Sequence, residues 1–298
     1  MRELELIEKI RKRAGRPGKG VKLGIGDDCA VLEHTKREYL LWAADMLVSG
    51  THFRTGDTEY AKIGRKAVAV NISDIAAMGG LPKYVTVSIG VPRGMARTAV
   101  DKIYDGIFGI CREYGVKVIG GDTVRSGKLV IDVSILGIVE KERLLTRSGA
   151  EKGDLILVTG PVRNGKKEHL DFIPRLVEAR FLSENYRINA MIDTSDGIAP
   201  DIGRICSLSR AGCVLYADAI PLSKGLSLRE ALYYGESFEL LFTMGVKEAR
   251  RLFRDMKPRA KALEYFVIGE ITGRKNERVL IEKEARLSKL KMEGYRHV

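Results

Sequence analysis

The 298-residue chain has no glutamine, only five asparagines, a single tryptophan, four cysteines and four histidines. His34, His52, His169 and His297 show no ligand spacing and no H-E-x-x-H pair, which argues against a zinc hydrolase. Cys29, Cys111, Cys206 and Cys213 form no C-x-x-C pair and lie in apolar segments. That pattern speaks against structural zinc and for buried, reduced thiols in a cytoplasm. No run of about 18 apolar residues is present to cross a bilayer. The opening "MRELELIEKIRKRAG" is too charged for a signal peptide. Scarce amides beside 51 Lys and Arg and 39 Asp and Glu match the surface chemistry of a thermophile.

What is present begins with charge. The net charge is +12, and six basic residues crowd Arg11 to Lys22 in "RKRAGRPGKGVK". An aromatic RNA-binding signature, a zinc finger and a helix-turn-helix are all missing, so a solvated basic surface is expected rather than a nucleic-acid face.

Apolar periodicity predicts alternating strands and helices. Leu4, Ile7 and Ile10 form one helical face, and "REYLLWAAD" reads as a buried strand ending on Asp45. A long helix is expected from Tyr60 to Met78, stopped by Gly79-Gly80 and Pro82. "KYVTVSIGVP" is a strand, followed by a helix from Thr98 to Tyr114 with Thr98 and Asp101 as its capping box. "VKVIGGDT" and "KLVIDVSILGIV" are strands. Beyond the glycine-bearing, aperiodic passage "ERLLTRSGAEKGD", alternation resumes with strand "LILVTG", a helix from Leu170 to Leu182, strand "NAMID" and a helix from Pro200 to Ser209. Strands "GCVLYA" and "FELLFTM", a helix from Lys247 to Arg254 and strand "YFVIGEI" complete the chain. Two α/β domains are expected, 1–145 and 146–298.

The chemistry concentrates in acids. "LGIGDDCAVL" sets Asp27 beside Asp28 between apolar runs. Two anions about 4 Å apart repel by roughly 4 kcal/mol at an effective dielectric near 20, so a cation or a water-filled loop must relieve them. Asp45, Asp74, Asp122, Asp193 and Asp196 recur at strand ends or in apolar helices, beside Gly, Ser or Thr. Each has an ordinary reading as a turn or cap. Together, in a basic protein, they ask for a cation, because apolar surroundings would otherwise raise their pKa values and neutralise them. All-oxygen donors select Mg²⁺ or a similar hard ion, which carboxylates commonly hold together with substrate phosphates. Glycines in "GIGDD" and "IGGDT" allow main-chain N–H groups to approach phosphate oxygens, so the expected chemistry is phosphoryl transfer from a metal-bound nucleotide. "GPVRNGKK", Gly160 to Lys167, fits G-x-x-x-x-G-K, but Lys167 stands where a P-loop needs Ser or Thr, so a basic surface loop is expected there.

In order, "GIGDDCAVL", "AADMLVSGTHF", "AVNISDIAAMGG", "GGDT", "TRSGAEKGD", "IDTSDG" and "GESFELLFT" resemble the thiamine-monophosphate kinase family. Its superfamily includes aminoimidazole ribonucleotide synthetase, selenophosphate synthetase and a hydrogenase-maturation protein. The resemblance runs from about Leu23 to the tail "GYRHV". It implies ATP-dependent phosphorylation of thiamine monophosphate to thiamine diphosphate by direct in-line transfer. It also implies a homodimer whose amino-terminal domains share a β-barrel, with a carboxy-terminal, sandwich-like α/β domain completing the cleft. On the matching positions, Asp28, Asp45, Asp74, Asp122, Asp193 and Asp196 are implied to hold several Mg²⁺ ions. Gly121, Asp122, Arg147, Ser195 and Tyr104 are implied to meet ATP, and His52, Glu236 and Tyr295 thiamine monophosphate. No side-chain nucleophile is implied, since the acceptor's own phosphate attacks.

Three segments depart from the family pattern. Ala43 and Ala44 replace the usual Ser or Thr before Asp45, "YGESFEL" replaces G-G-E-D-Y-E-L, and "PVRNGKKEHL" replaces a glycine- and alanine-rich stretch. They leave two alternatives: a related ATP-using enzyme of the superfamily with another acceptor, such as a purine-pathway intermediate, or a basic nucleic-acid-binding protein.

Overall fold

The computed structural model describes residues 3–54, 59–163, 169–256, 264–282 and 286–291. Helix α1 (Glu3–Ala14) precedes a six-stranded sheet of β1 (Val21–Leu23), β2 (Ala30–Glu33), β3 (Glu38–Val48), β4 (Leu81–Pro92), β5 (Lys117–Ser126) and β6 (Val130–Glu140). Strand order is β1-β2-β3-β6-β4-β5, antiparallel apart from the β4–β5 pair. Alternation along β3 explains its two faces. Tyr39, Leu41, Ala43 and Leu47 are buried, whereas Trp42 and Met46 are 51% and 53% exposed. The buried face packs with α2 (Tyr60–Ala77) and α3 (Arg97–Glu113), whose Ile63, Ala67, Val70, Ile103, Ile107 and Ile110 join the same core. Burying each such Val or Ile side chain contributes about 1.5–3 kcal/mol.

The second sheet holds β7 (Leu155–Thr159), β8 (Ala190–Asp193), β9 (Gly212–Tyr216), β10 (Leu240–Met244), β11 (Tyr265–Thr272), β12 (Arg278–Ile281) and β13 (Leu287–Lys289), in the order β13-β12-β9-β11-β7-β10-β8. Its two faces carry separate cores. Ile156, Val158, Ile192 and Leu241 pack with α5 (Ile198–Leu208) and α6 (Leu228–Tyr233). Leu157, Met191, Leu240 and Phe242 pack with α4 (Leu176–Asn185) and α7 (Val246–Met256). Ala76 and Ala77, at the end of α2, belong to this last cluster, so α2 links the two layers. Residues 141–154 connect the sheets, and among the described residues the seven helices and two sheets make a mixed α/β, two-domain fold.

Several expectations change. The helix expected from Leu170 begins at Leu176, after a tight turn in which the Leu176 N–H donates to the Pro174 carbonyl at 2.8 Å. Pro174 itself disfavours a helical conformation at the residue before it. Thr98 and Asp101 do not cap α3: it starts one residue earlier, with extended Ala96 at the N-cap and no side-chain bond. A genuine capping box sits instead at α6, between Ser227 and Glu230. Ile7 and Ile10 share a face of α1 but remain exposed. Within one chain the six-stranded sheet is open, and among the described residues no closed barrel is seen. All four cysteines are buried and free.

Candidate functional site

A cleft of about 1700 Å³ lies between the two sheets, and its floor is acidic. Asp28 sits in the turn between β1 and β2, Asp74 in the last turn of α2, and Asp193 at the end of β8. One carboxylate oxygen from each lies within 4.8 Å of the other two. Residues 46 and 119 positions apart in sequence are thus gathered by an interstrand turn, a helix end and a strand end. Ser73, next to Asp74, donates to Asp193 Oδ2 at 2.6 Å and couples α2 to β8.

Arg147, in the connection between the sheets, is the cation that holds the Asp27–Asp28 pair together. Its Nη2 donates to Asp28 Oδ1 at 2.6 Å, its Nε lies 3.9 Å from Asp27, and its main-chain N–H points at the Asp27 carboxylate. One guanidinium does not balance the cluster. Burial and then the charge of Asp28 push Asp27 up to about 7. Burial, reinforced by Asp45, Asp193 and Asp28, raises Asp74 well above the ordinary carboxylate range. Asp193 is raised by burial and by Asp28, against the opposing hydrogen bond from Ser73. Asp28 Oδ2 and Arg147 Nε are buried with no hydrogen-bond partner among the described residues. An unpartnered carboxylate oxygen amid surplus negative charge fits a hard divalent cation.

Asp45, on β3, also lines the cleft. Ser195 and Asp196 line it from the turn between β8 and α5. Asp196 pairs with Arg204, which also grips Asp201, and Asp201 accepts the N–H groups of Asp196 and Gly197 at 3.2 and 3.1 Å. Full burial pushes Asp201 up to about 7 despite Arg204.

The other end of the cleft is charge-compensated. Glu236, in the loop after α6, pairs with Lys66 of α2 and lies 3.1 Å from His169 Nδ1. Burial pushes the Glu236 carboxyl up, but His169 and Lys66 together hold it below its ordinary value. Gly235 is required here, since a Cβ would lie 1.7 Å from the Ser195 carbonyl. His52 lines the same end, its Nδ1 accepting the Val48 N–H at 2.9 Å, which leaves the proton of a neutral ring on Nε2. Two of the departing segments meet at this end. The Arg163 N–H donates to Ser237 Oγ at 3.0 Å, and the Phe172 and Phe238 rings stack at 4.1 Å.

Other expected residues lie elsewhere. Asp122 and Gly121 are on β5, exposed, outside the cleft lining. Asp122 shares a register row with Ser88, Asp132 and Met46. Three strand spacings, about 14 Å, therefore separate it from β3. Gly121 has a steric role of its own, because a Cβ would sit 1.8 Å from the Val87 carbonyl. Tyr104 packs on the amino-terminal core from α3, 6.0 Å from the Phe108 ring, and does not line the cleft. Tyr295 lies outside the described residues, as do 164–168 of the "GPVRNGKK" loop. Sequence reasoning missed Lys66, His169 and Arg204 as groups at or behind the cleft. The signal for Lys66 was a lysine opening the apolar helical run "KAVAVNISD". Ile7 and Arg11 of α1 also line the cleft, so part of the basic arm faces the site.

Two family models match: AIR synthase related protein, N-terminal domain, over residues 26–139, and the corresponding C-terminal domain over 124–282. The thiamine-monophosphate kinase of Escherichia coli (strain K12) is 35% identical over 301 residues, covering 91% of this chain and 90% of that protein. The Bacillus subtilis (strain 168) enzyme of the same name is 31% identical over 327 residues, covering 100% and 99%. The chain belongs to the thiamine-monophosphate kinase family. Among solved structures, AaThiL complexed with AMPPCP and TMP superposes with a TM-score of 0.84 at 27% identity, covering 100% of this chain and 97% of that one. Thiamine-monophosphate kinase from Stenotrophomonas maltophilia K279a gives 0.75 at 29% identity, covering 95% and 98%. Hydrogenase maturation protein HypE in complex with ATP, at 20% identity and a TM-score of 0.71, shares the fold.

Proposed function

We propose that this chain transfers the γ-phosphoryl group of ATP to thiamine monophosphate, forming thiamine diphosphate and ADP. The observation that carries the reading is the convergence of Asp28, Asp74 and Asp193 within 4.8 Å on the floor of the cleft. Family membership and the likeness to a structure holding an ATP analogue and TMP support it.

Asp28, Asp74 and Asp193, with Asp45 and Asp196 at the rim, would hold Mg²⁺, and the several-ion expectation belongs here. Bound there, the ions would neutralise two polyanionic substrates and orient them. The chain's own residues supply the rest. Arg147 lines the cleft beside the acids, so its guanidinium would meet a phosphate oxygen there. Ser195, on the tight turn fixed by Gly235, presents its hydroxyl to the nucleotide. Glu236 and His52 orient the acceptor at the opposite end. A phosphate oxygen of thiamine monophosphate bonds to the γ-phosphorus as the β–γ bridging bond breaks, and the electron pair leaves with ADP. No protein nucleophile takes part, so the rate rests on positioning.

The homodimer belongs to the same proposal. Trp42, Met46, Tyr84 and Ile119 are exposed on the six-stranded sheet, Ile119 at 59%. A second copy packing there would close the open sheet into a barrel. It would also carry Asp122 and Gly121 to the partner's cleft, accounting for their place away from the acids of their own chain. A division at 145/146 and a cytoplasmic location complete the reading, the latter supported by four free, buried thiols. Tyr104 and Tyr295 keep their proposed contacts to ATP and thiamine monophosphate.

The test is an ADP-release assay with Mg-ATP and a panel of phosphorylated acceptors, with the product separated by chromatography. Thiamine diphosphate stoichiometric with ADP is expected. ADP release only with a purine-pathway acceptor would overturn the assignment in favour of a related superfamily activity.

A further inference from the structure

Lys66 is a buried cation in an apolar helical run, and the transfer chemistry above leaves it without a task. Its side chain is 0% exposed and does not line the cleft. Its ammonium reaches three groups from three separate segments: the Glu236 carboxylate, His169 Nδ1 at 2.7 Å and the His52 carbonyl at 3.4 Å. All three of those residues do line the cleft. Lys66 therefore stands directly behind a rim made of its own partners.

A plain core tie would bury its partners as well. Here the partners remain at the cavity wall, and Glu236 keeps a left-handed backbone with φ 66°, costly for a residue that is not glycine. The Lys66 contact offsets that strain and fixes where the carboxylate points. Each carboxylate oxygen has two acceptor sites. Lys66 takes one on Oε1 and His169 faces Oε2, so acceptor capacity is left toward the cleft. His169 Nδ1 lies between the lysine and the carboxylate, and one proton on that nitrogen decides which of them it bonds. The other charge acting on Lys66 is Asp45, whose attraction opposes the lowering of the ammonium pKa by burial.

We propose that Lys66 is the positioning residue of the acceptor site, locking Glu236, His169 and His52 into one preorganised rim. That rim would offer the remaining acceptor capacity of the Glu236 carboxylate to a hydrogen-bond donor on the acceptor molecule. The inference rests on the kinase reading and adds the residue that sets acceptor recognition.

The experiment compares wild type with Lys66→Met, Glu236→Gln and the double variant, varying thiamine monophosphate at saturating Mg-ATP and then the reverse. Lys66→Met is expected to raise KM for thiamine monophosphate about tenfold or more, with KM for ATP within about twofold. In the Glu236→Gln background the same change is expected to add little, since both act on one carboxylate. Equal shifts in both KM values, no shift in either, or full additivity would overturn the proposal. Should Lys66→Met fail to fold by circular dichroism, His169→Ala decides it. A smaller rise confined to thiamine monophosphate supports the unit, and any other pattern overturns it. Calorimetric binding of thiamine monophosphate without ATP separates the two readings. If wild type binds and phosphorylates it while Lys66→Met binds it equally well, only this inference falls. If wild type binds it, Lys66→Met does not, and neither turns it over, the inference stands and the kinase reading falls. Wild type that neither binds nor phosphorylates it removes both.

Discussion

The two ends of the cleft treat buried carboxylates in opposite ways. At one end Asp27, Asp28, Asp74 and Asp193 share Arg147, and Asp27, Asp74 and Asp193 are pushed upward. At the other end Glu236 meets both Lys66 and His169 and is held below its ordinary value. The first arrangement is destabilised as it stands and is suited to receive cations. The second is already satisfied and suited to hold a shape. Uncompensated charge marks where metal and phosphate would enter, and compensated charge marks where the acceptor would be oriented.

The sharpest way to break the contrast is to remove one acid from each end. Asp74→Asn is expected to cut turnover by about 100-fold or more, the scale of losing a main electrostatic contact to the transferring group. Steady-state rates at saturating Mg-ATP check it, and near-wild-type turnover would remove Asp74 from the site.

Stability should respond with opposite signs at the two ends. In EDTA at pH 8, Asp74→Asn is expected to melt above wild type, because it removes a buried, uncompensated charge. Glu236→Gln should melt below wild type by about 1–3 kcal/mol, because it leaves Lys66 buried without its carboxylate. The pH dependence follows from the raised carboxyls. Between the ordinary 3.8 and the raised value of about 7 for Asp27, the folded chain holds a proton that the unfolded chain has released. That contribution is present below 3.8 and is lost as pH rises through about 7. Metal-free wild type should therefore lose stability across this window in thermal melts, and Asp74→Asn should lose less.

Mg²⁺ should reverse that loss. Saturation at 100 times its dissociation constant stabilises by about 2.7 kcal/mol, and Asp193→Asn should blunt the gain. Equal thermal shifts in wild type and Asp193→Asn would show that the ion binds elsewhere.

The smallest effect is expected outside the cleft, where Arg180 of α4 donates to Glu140 at the end of β6 at 2.8 and 2.9 Å, tying the two sheets. The hydrogen bond from Arg180 holds Glu140 down to about 2. This contribution is present above 4.5 and lost as pH falls through about 2, the reverse of the acidic floor. The pair is partly exposed, so Glu140→Gln should cost less than about 1 kcal/mol at pH 7 and flatten the acid limb of the stability profile.

Periodicity made much of this architecture legible. The long helix α2 and strands β3, β4 and β6 follow from local apolar spacing, and each appears close to its expected limits. Short elements with no repeat, α6, β12 and β13, were not legible, because a few residues carry no period to detect. At the site, Asp28, Asp74 and Asp193 announced themselves as acids in apolar contexts. Arg147 was legible as a boundary arginine but not as the clamp on Asp27 and Asp28. Lys66 and His169 were not legible as a pair, since 103 residues separate them.

The sequence by itself determined the alternation of elements, the surplus of apolar-flanked carboxylates and the family to which they point, because propensity and spacing are local properties. Only the tertiary structure decided which carboxylates share a cation, which stand alone, and that Asp122 faces away from the rest. Charge compensation acts over a few ångströms in space, and chain order carries no measure of that distance.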